Sequence, residues 1–163
     1  MGGRYAPPYA NIFMVKIEEI IYTEWHNHIH TWKRFIDDIF LIFTGTTQEL
    51  ERLKYFMNNI HDTIKFTFQQ STESINFLDV TIRLHNNNFD TTIYRKPTDR
   101  SFLLHYKSNH PHNTKESIIY SQALRYNLII KNDNNLQTEL HNLTKTLLAR
   151  KYPLHIINKN ISK

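Results

Sequence analysis

Asp37 and Asp38 stand side by side between two short apolar runs, Trp32-Lys33-Arg34-Phe35-Ile36 and Ile39-Phe40-Leu41-Ile42-Phe43. Runs this short and this rich in Ile and Phe read as strands, with the acids at the bend between them. Burying one carboxylate is costly, and two neighbours also repel, so the pair is expected at an exposed hairpin tip. There a divalent cation could neutralise it. Hard oxygen ligands favour magnesium or manganese, and two carboxylates plus substrate phosphates are a usual way to bind magnesium. In phosphoryl transfer such acids hold two metals, one activating the attacking hydroxyl and one stabilising the leaving oxygen. The plainer alternative is turn chemistry, for which Asp is well suited.

The elements that must hold this pair follow from the patterning around it. Pro7 and Pro8 suit a helix start, and Tyr9, Ile12, Phe13, Ile17, Ile20, Ile21 and Trp25 keep helical spacing after them. His26, His28 and His30 alternate just before the first strand; a metal cluster is conceivable, but the run is taken as an exposed loop. Thr44-Gly45-Thr46-Thr47 breaks the second strand and offers a cap for a helix over 47–61. Ile64 to Phe68 alternates as a strand, and Ile75 to Ile82 reads as another, joined through His85-Asn86-Asn87-Asn88 to Phe89–Tyr94. Asp79 could join the acidic site, but pairing with a neighbouring base is the favoured role. From Thr114 onward the spacing is helical: Ile118, Ile119, Ala123 and Leu124 mark one helix, and Leu136, Leu140, Leu143, Leu147 and Leu148 another. Asn132 to Asn135 separates them, and Pro153 starts a last short helix. His110-Pro111-His112 is read as a loop.

Charge is divided unevenly along the 163 residues. Residues 1–94 carry 8 Lys/Arg against 11 Asp/Glu, a net of −3, and residues 95–163 carry 12 against 4, a net of +8. A basic C-terminal part joined to a body with an acidic tip suits a polyanion held beside metal-binding carboxylates; a solvated basic surface is the alternative. Tyr94-Arg95-Lys96-Pro97-Thr98-Asp99-Arg100 adds three bases, an aromatic and a rigid turn, side chains that can grip a phosphate backbone and stack on a sugar or base. The apolar fraction of 40% is enough for a real core, no run approaches a membrane span, and the lack of Cys excludes disulfides and is compatible with an intracellular protein.

Five stretches together resemble the reverse transcriptase of Penelope-like retroelements, a group related to telomerase. They are Gly3–Met14, Trp32–Phe40, Ile75–Val80, Tyr94–Arg100, and Ser108-Asn109-His110-Pro111 with Ser117–Arg125. The resemblance implies an α+β fold: a partial antiparallel palm over residues 1–98, then an α-helical, helix-turn-helix-like thumb over 99–163. It implies that Gly3, Arg4, Ala6, Pro7 and Asn11 form the motif-B loop and helix against template and nucleotide. Asp37 and Asp38 would be the catalytic, metal-binding acids of motif C. Tyr94, Arg95, Lys96 and Arg100 would fall in the primer-grip region, with Lys107, Lys115 and Arg125 as further nucleic-acid contacts. Implied partners are an RNA template, a DNA primer and deoxynucleotide triphosphates, with two Mg2+ or Mn2+ ions, in a nuclear setting and without a membrane.

The departures are equally specific. The family carries fingers and a motif-A strand with a third catalytic aspartate before motif B, whereas this chain starts inside motif B with Gly where Thr is usual. The endonuclease found after the thumb in many members is also missing. Asp37 and Asp38 alone are therefore expected to bind metal weakly, and the chain, read as a fragment or decayed copy, to be inactive by itself. The competing expectation is a non-catalytic, nucleic-acid-binding, helix-turn-helix-like module.

Overall fold

The computed structural model describes residues 5–86, 88–99 and 102–162, so Gly3, Arg4 and Arg100 lie outside the described residues. Helices and antiparallel strands are mixed along the chain, as an α+β fold requires. The chain divides into two units, up to residue 70 and from residue 71. The boundary thus falls earlier than 98/99, because the strands after residue 71 share contacts with the C-terminal helices.

In the first unit, α1 (Ala6–Trp25) opens with Pro at its first positions, where a missing N–H costs nothing. A tight turn leads to β1 (Ile29–Phe35), which pairs antiparallel with β2 (Asp38–Phe43). The register shifts between Ile29 and Thr31, so the strand carries a bulge at His30. α2 (Thr47–Asn59) begins with a capping box: Glu49 N–H donates to Thr46 Oγ1 at 3.3 Å, and Thr46 N–H donates to Glu49 Oε2 at 2.7 Å. These bonds, first the backbone N–H and then the hydroxyl of Thr46, hold the Glu49 carboxyl below its usual pKa. Ile17 and Ile21 of α1, Ile29 of β1, and Leu53 and Met57 of α2 close the core, with Phe13, Trp25, Trp32 and Phe43 around them.

Ile64–Phe68 is a correction to the sequence reading, since no strand forms there. Its place in a ladder is taken by one side chain. Asn58 Oδ1 accepts from Phe66 N–H at 2.6 Å and Asn58 Nδ2 donates to Phe66 O at 3.2 Å, so an amide satisfies the backbone as a neighbouring strand would. Ile64 and Phe66 still pack on the core, which explains the alternating pattern.

In the second unit β3 (Ser74–Phe77), β4 (Val80–His85) and β5 (Asn88–Ile93) form an antiparallel sheet in sequence order. The stretch read as one strand over 75–82 is a hairpin instead, reversing at Leu78-Asp79 with Phe77 paired to Val80. The sequence conceals this turn because Leu78, not Gly or Asn, takes its positive-φ position at φ 54°, leaving Asp79 as the single turn former. Three helices follow: α3 (His112–Ile129), α4 (Asp133–Ala149) and α5 (Leu154–Ile161). Asn132 alone caps α4, accepting from Asn134 N–H at 3.0 Å and Asn135 N–H at 3.1 Å, so residues 133–135 are helical and not a separator. The core comprises Ile119, Ala123, Tyr126 and Ile130, Leu143 and Leu147 of α4, Tyr152, and Ile157 of α5. Ile93 of β5 packs against it, and Thr91 Oγ1 donates to Ile129 O, joining sheet and helices.

Candidate nucleic-acid interface

Residues 150–163 carry Arg150, Lys151, Lys159 and Lys163 and no acidic residue. Over residues 150–162 the structure forms a turn and a helix. α4 and α5 are joined by Arg150, Lys151, Tyr152 and Pro153, a connection of the length that links the helices of helix-turn-helix motifs. Such turns usually place Gly at a left-handed position; here Lys151 occupies it with φ 67°. Tyr152 anchors the turn by burial, and its N–H donates to Leu147 O at 3.1 Å. Burial, and then the neighbouring Tyr106, push the Tyr152 phenol up, so it stays neutral.

α5 is amphipathic with a short repeat. Ile157 and Asn160 face inward, and Asn160 Nδ2 donates to Ile156 O at 2.9 Å and to Glu116 Oε2 at 3.5 Å, which ties the helix to α3. On the other side His155, Asn158, Lys159 and Ser162 are exposed. Their spacing of i, i+3, i+4 and i+7 sets them in one row. Side chains of these types carry donors and acceptors of the kind that can read base edges, and Lys151 and Lys159 are cationic. The sequence reading placed a short helix here but did not single out this row. The available signal was the acid-free run together with helical spacing of the polar residues.

The basic residues singled out from the sequence divide by partner. Arg95 Nη2 donates to Glu139 Oε2 at 2.5 Å and to Tyr126 Oη at 3.0 Å, and its guanidinium lies 5.7 Å from the Tyr126 ring. The Glu139 bond is the main cause of a raised Arg95 pKa, which desolvation opposes. Arg125 Nη2 donates to Asp79 Oδ2, so Asp79 has the basic partner expected for it. Lys115 is buried, with Nζ 5.5 Å from the Tyr106 ring centroid. Lys96 and Lys107 are exposed, and Tyr94 is half-buried. The chain therefore uses two of these arginines to fasten its own sheet to its helices.

Asp37 and Asp38 lie where the patterning put them, exposed at the β1–β2 tip. Phe35 pairs with Asp38, leaving Ile36 and Asp37 as a two-residue turn. Ile36 has φ 56°, a region a β-branched residue enters only under strain. Arg34 holds the turn: it donates to Ile36 O at 3.3 Å, to Glu18 Oε1 at 2.6 Å and to Asn11 Oδ1 at 2.9 Å. The arginine's charge is thus met by Glu18, and both aspartates remain open to solvent. Ala6, Pro7 and Asn11 lie in the exposed N-terminal part of α1. The three histidines bond to different groups: His26 to Thr23 O, His28 to Thr44 O at 2.8 Å, and His30, which is in β1 and not in a loop, shares a hydrogen bond of 2.7 Å with the Thr44 hydroxyl. Among the described residues no group of three or more His, Cys, Asp or Glu could hold a metal ion. A pair of carboxylates fits magnesium only where phosphate oxygens complete the shell. Nor is any described helix long and apolar enough to cross a membrane.

A family model described as an animal helix-turn-helix domain matches residues 102–162. The match spans α3, α4 and α5 together with the segment leading into them. No curated protein and no solved structure matches the chain.

Proposed function

We propose that residues 102–162 are a nucleic-acid-binding helix-turn-helix module, with α4 as the supporting helix and α5 as the helix presented to the ligand. The observation that carries this reading is the exposed row His155, Asn158 and Lys159 on α5 with Ser162 at its C-cap, in the helix that follows the turn at left-handed Lys151. The likeness to the animal helix-turn-helix domain supports it independently. In such motifs the second helix enters the groove while backbone contacts fix its register. The test is duplex binding by the full chain, read by fluorescence anisotropy across a salt series. His155→Ala with Asn158→Ala and Lys159→Ala should weaken binding at least tenfold and flatten the salt slope by about one unit. Unchanged affinity and slope in that variant would remove α5 from the interface.

A second reading rests on a different observation, the solvent-facing Asp37 and Asp38 on a strained turn. It takes the chain as palm and thumb of a Penelope-like reverse transcriptase, with Gly3, Arg4, Ala6, Pro7 and Asn11 toward template and nucleotide and Tyr94 to Arg100 toward the primer. Asp37 and Asp38 would hold Mg2+ or Mn2+ jointly with nucleotide phosphates, and the ion would supply charge neutralisation at the transferring phosphoryl group. This chain's own contribution would be to keep both carboxylates open by occupying Arg34 with Glu18. Broadening of backbone signals near Asp37 by Mn2+, observed only with a deoxynucleotide triphosphate present and lost in Asp37→Asn with Asp38→Asn, is the expected result. Broadening elsewhere, or none, would leave the tip as plain turn chemistry.

A further inference from the structure

The segment His105 to Lys115 holds two lysines, three histidines and no acid, and it runs into the start of α3. Residues 112–114 begin the helix, where backbone N–H groups have no helical acceptor; the first bond back is Lys115 N–H to Pro111 O at 3.2 Å. Pro111 gives no side-chain cap, and the first turn has no acidic residue. Among the described residues, neither a capping side chain nor a first-turn acid compensates the positive end of the helix dipole.

Lys115 makes the second, independent observation. It is only 7% exposed, yet among the described residues its ammonium meets no carboxylate and no hydrogen-bond acceptor, only the face of Tyr106 at 5.5 Å. A ring face offsets part of the desolvation of a cation but cannot accept three N–H bonds. Neighbouring Glu116 is engaged elsewhere, by Asn160 and by Lys159 at 4.0 Å. Helical side chains lean toward the N-terminus, and the Tyr106 ring under Lys115 Nζ also contacts the ring of His112, the first residue of α3, at 6.1 Å. Tyr106 is itself fixed, by Tyr152 at 5.2 Å and by its N–H to Arg150 O at 3.0 Å. Exposed Lys107 and His110 flank the opening.

We infer that the N-terminal turn of α3, with Lys115 as its buried cation and His112 at its edge, is a phosphate-binding site. A helix start with free N–H groups and an unpaired ammonium beside it suits a tetrahedral anion. Resting on the nucleic-acid reading, the phosphate it takes is one of the backbone, a contact that sets register and not sequence. The site would add a phosphate anchor to the row on α5.

Two probes keep the site and the nucleic-acid reading apart. In the full chain, inorganic phosphate should shift the backbone amide signals of His112, Asn113 and Thr114, and Lys115→Met should abolish the shifts. In duplex binding the same variant should lose about five- to tenfold in affinity and about one unit of salt slope. Lys115→Met replaces a buried stem by an apolar one; should it not fold, exposed His112→Gln must weaken both signals. Absence of phosphate-induced shifts at residues 112–114 in the unaltered chain overturns the site. Phosphate shifts without any duplex binding uphold the anion site and remove the nucleic-acid reading instead.

Discussion

Arg34 of β1 donates to Glu18 of α1 at 2.6 Å, with the two side chains 12% and 19% exposed. Through the same guanidinium it reaches the carbonyl of Ile36, so one residue joins helix, strand and turn. Trp32 Nε1 shares the carboxylate at 2.9 Å. Replacing Arg34 by Met leaves Glu18 half-buried with the indole alone. A charge-assisted bond of this burial is worth about 1.5–3 kcal/mol, so Arg34→Met should destabilise the first unit by roughly 2 kcal/mol in urea titration. By contrast, the Arg125–Asp79 pair is 40% and 44% exposed, and Asp79→Asn should cost less than about 1 kcal/mol.

The two tight hairpins share a pattern, Phe35-Ile36-Asp37-Asp38 and Phe77-Leu78-Asp79-Val80, with φ 56° at Ile36 and 54° at Leu78. Glycine is the favoured residue at a positive-φ first turn position. Ile36→Gly should therefore raise stability by about 1 kcal/mol, or roughly 2–4 °C in melting temperature. A fall in melting temperature would show that packing of the Ile36 side chain outweighs its backbone strain.

Lys151 presents a trade between stability and binding. A left-handed conformation costs a non-glycine residue about 1–2 kcal/mol, so Lys151→Gly should stabilise the α4–α5 turn by about 1 kcal/mol. On the proposed nucleic-acid reading it should also lower duplex affinity at low salt and the salt slope together. Melting and anisotropy on the same sample separate the two effects.

The capping box makes α2 sensitive to acid. Glu49 has its carboxyl held below the ordinary 4.5, first by the Thr46 backbone N–H and then by its hydroxyl. The folded-state value is depressed, so the stabilisation is present above the unfolded pKa and is lost as pH falls through the folded one. Glu49→Gln should flatten the pH dependence of α2 unfolding below about pH 4.5, and Thr46→Ala should cost about 1 kcal/mol at neutral pH. A Glu49 carboxyl titrating above 4.5 by NMR would contradict the cap as the cause.

What could be read from residue order alone was whatever local chemistry fixes. The exposed bend at Asp37-Asp38 followed from the cost of burying two carboxylates between apolar runs. The helices from Pro7, Thr46 and Pro153 followed from cap and proline signals, and the basic C-terminal part from simple charge counting. Tertiary contacts decided the rest. Ile64 to Phe68 has a strand's alternation, but one amide from Asn58 satisfied its backbone and no ladder formed. Ile75 to Ile82 hid a reversal, because its positive-φ position is taken by Leu78 and the one turn former, Asp79, stands inside an otherwise strand-like run. Likewise nothing local distinguishes Arg95 and Arg125, held by Glu139 and Asp79, from exposed Lys96 and Lys107. Such differences arise from residues more than thirty positions away, and only the packed chain brings those together.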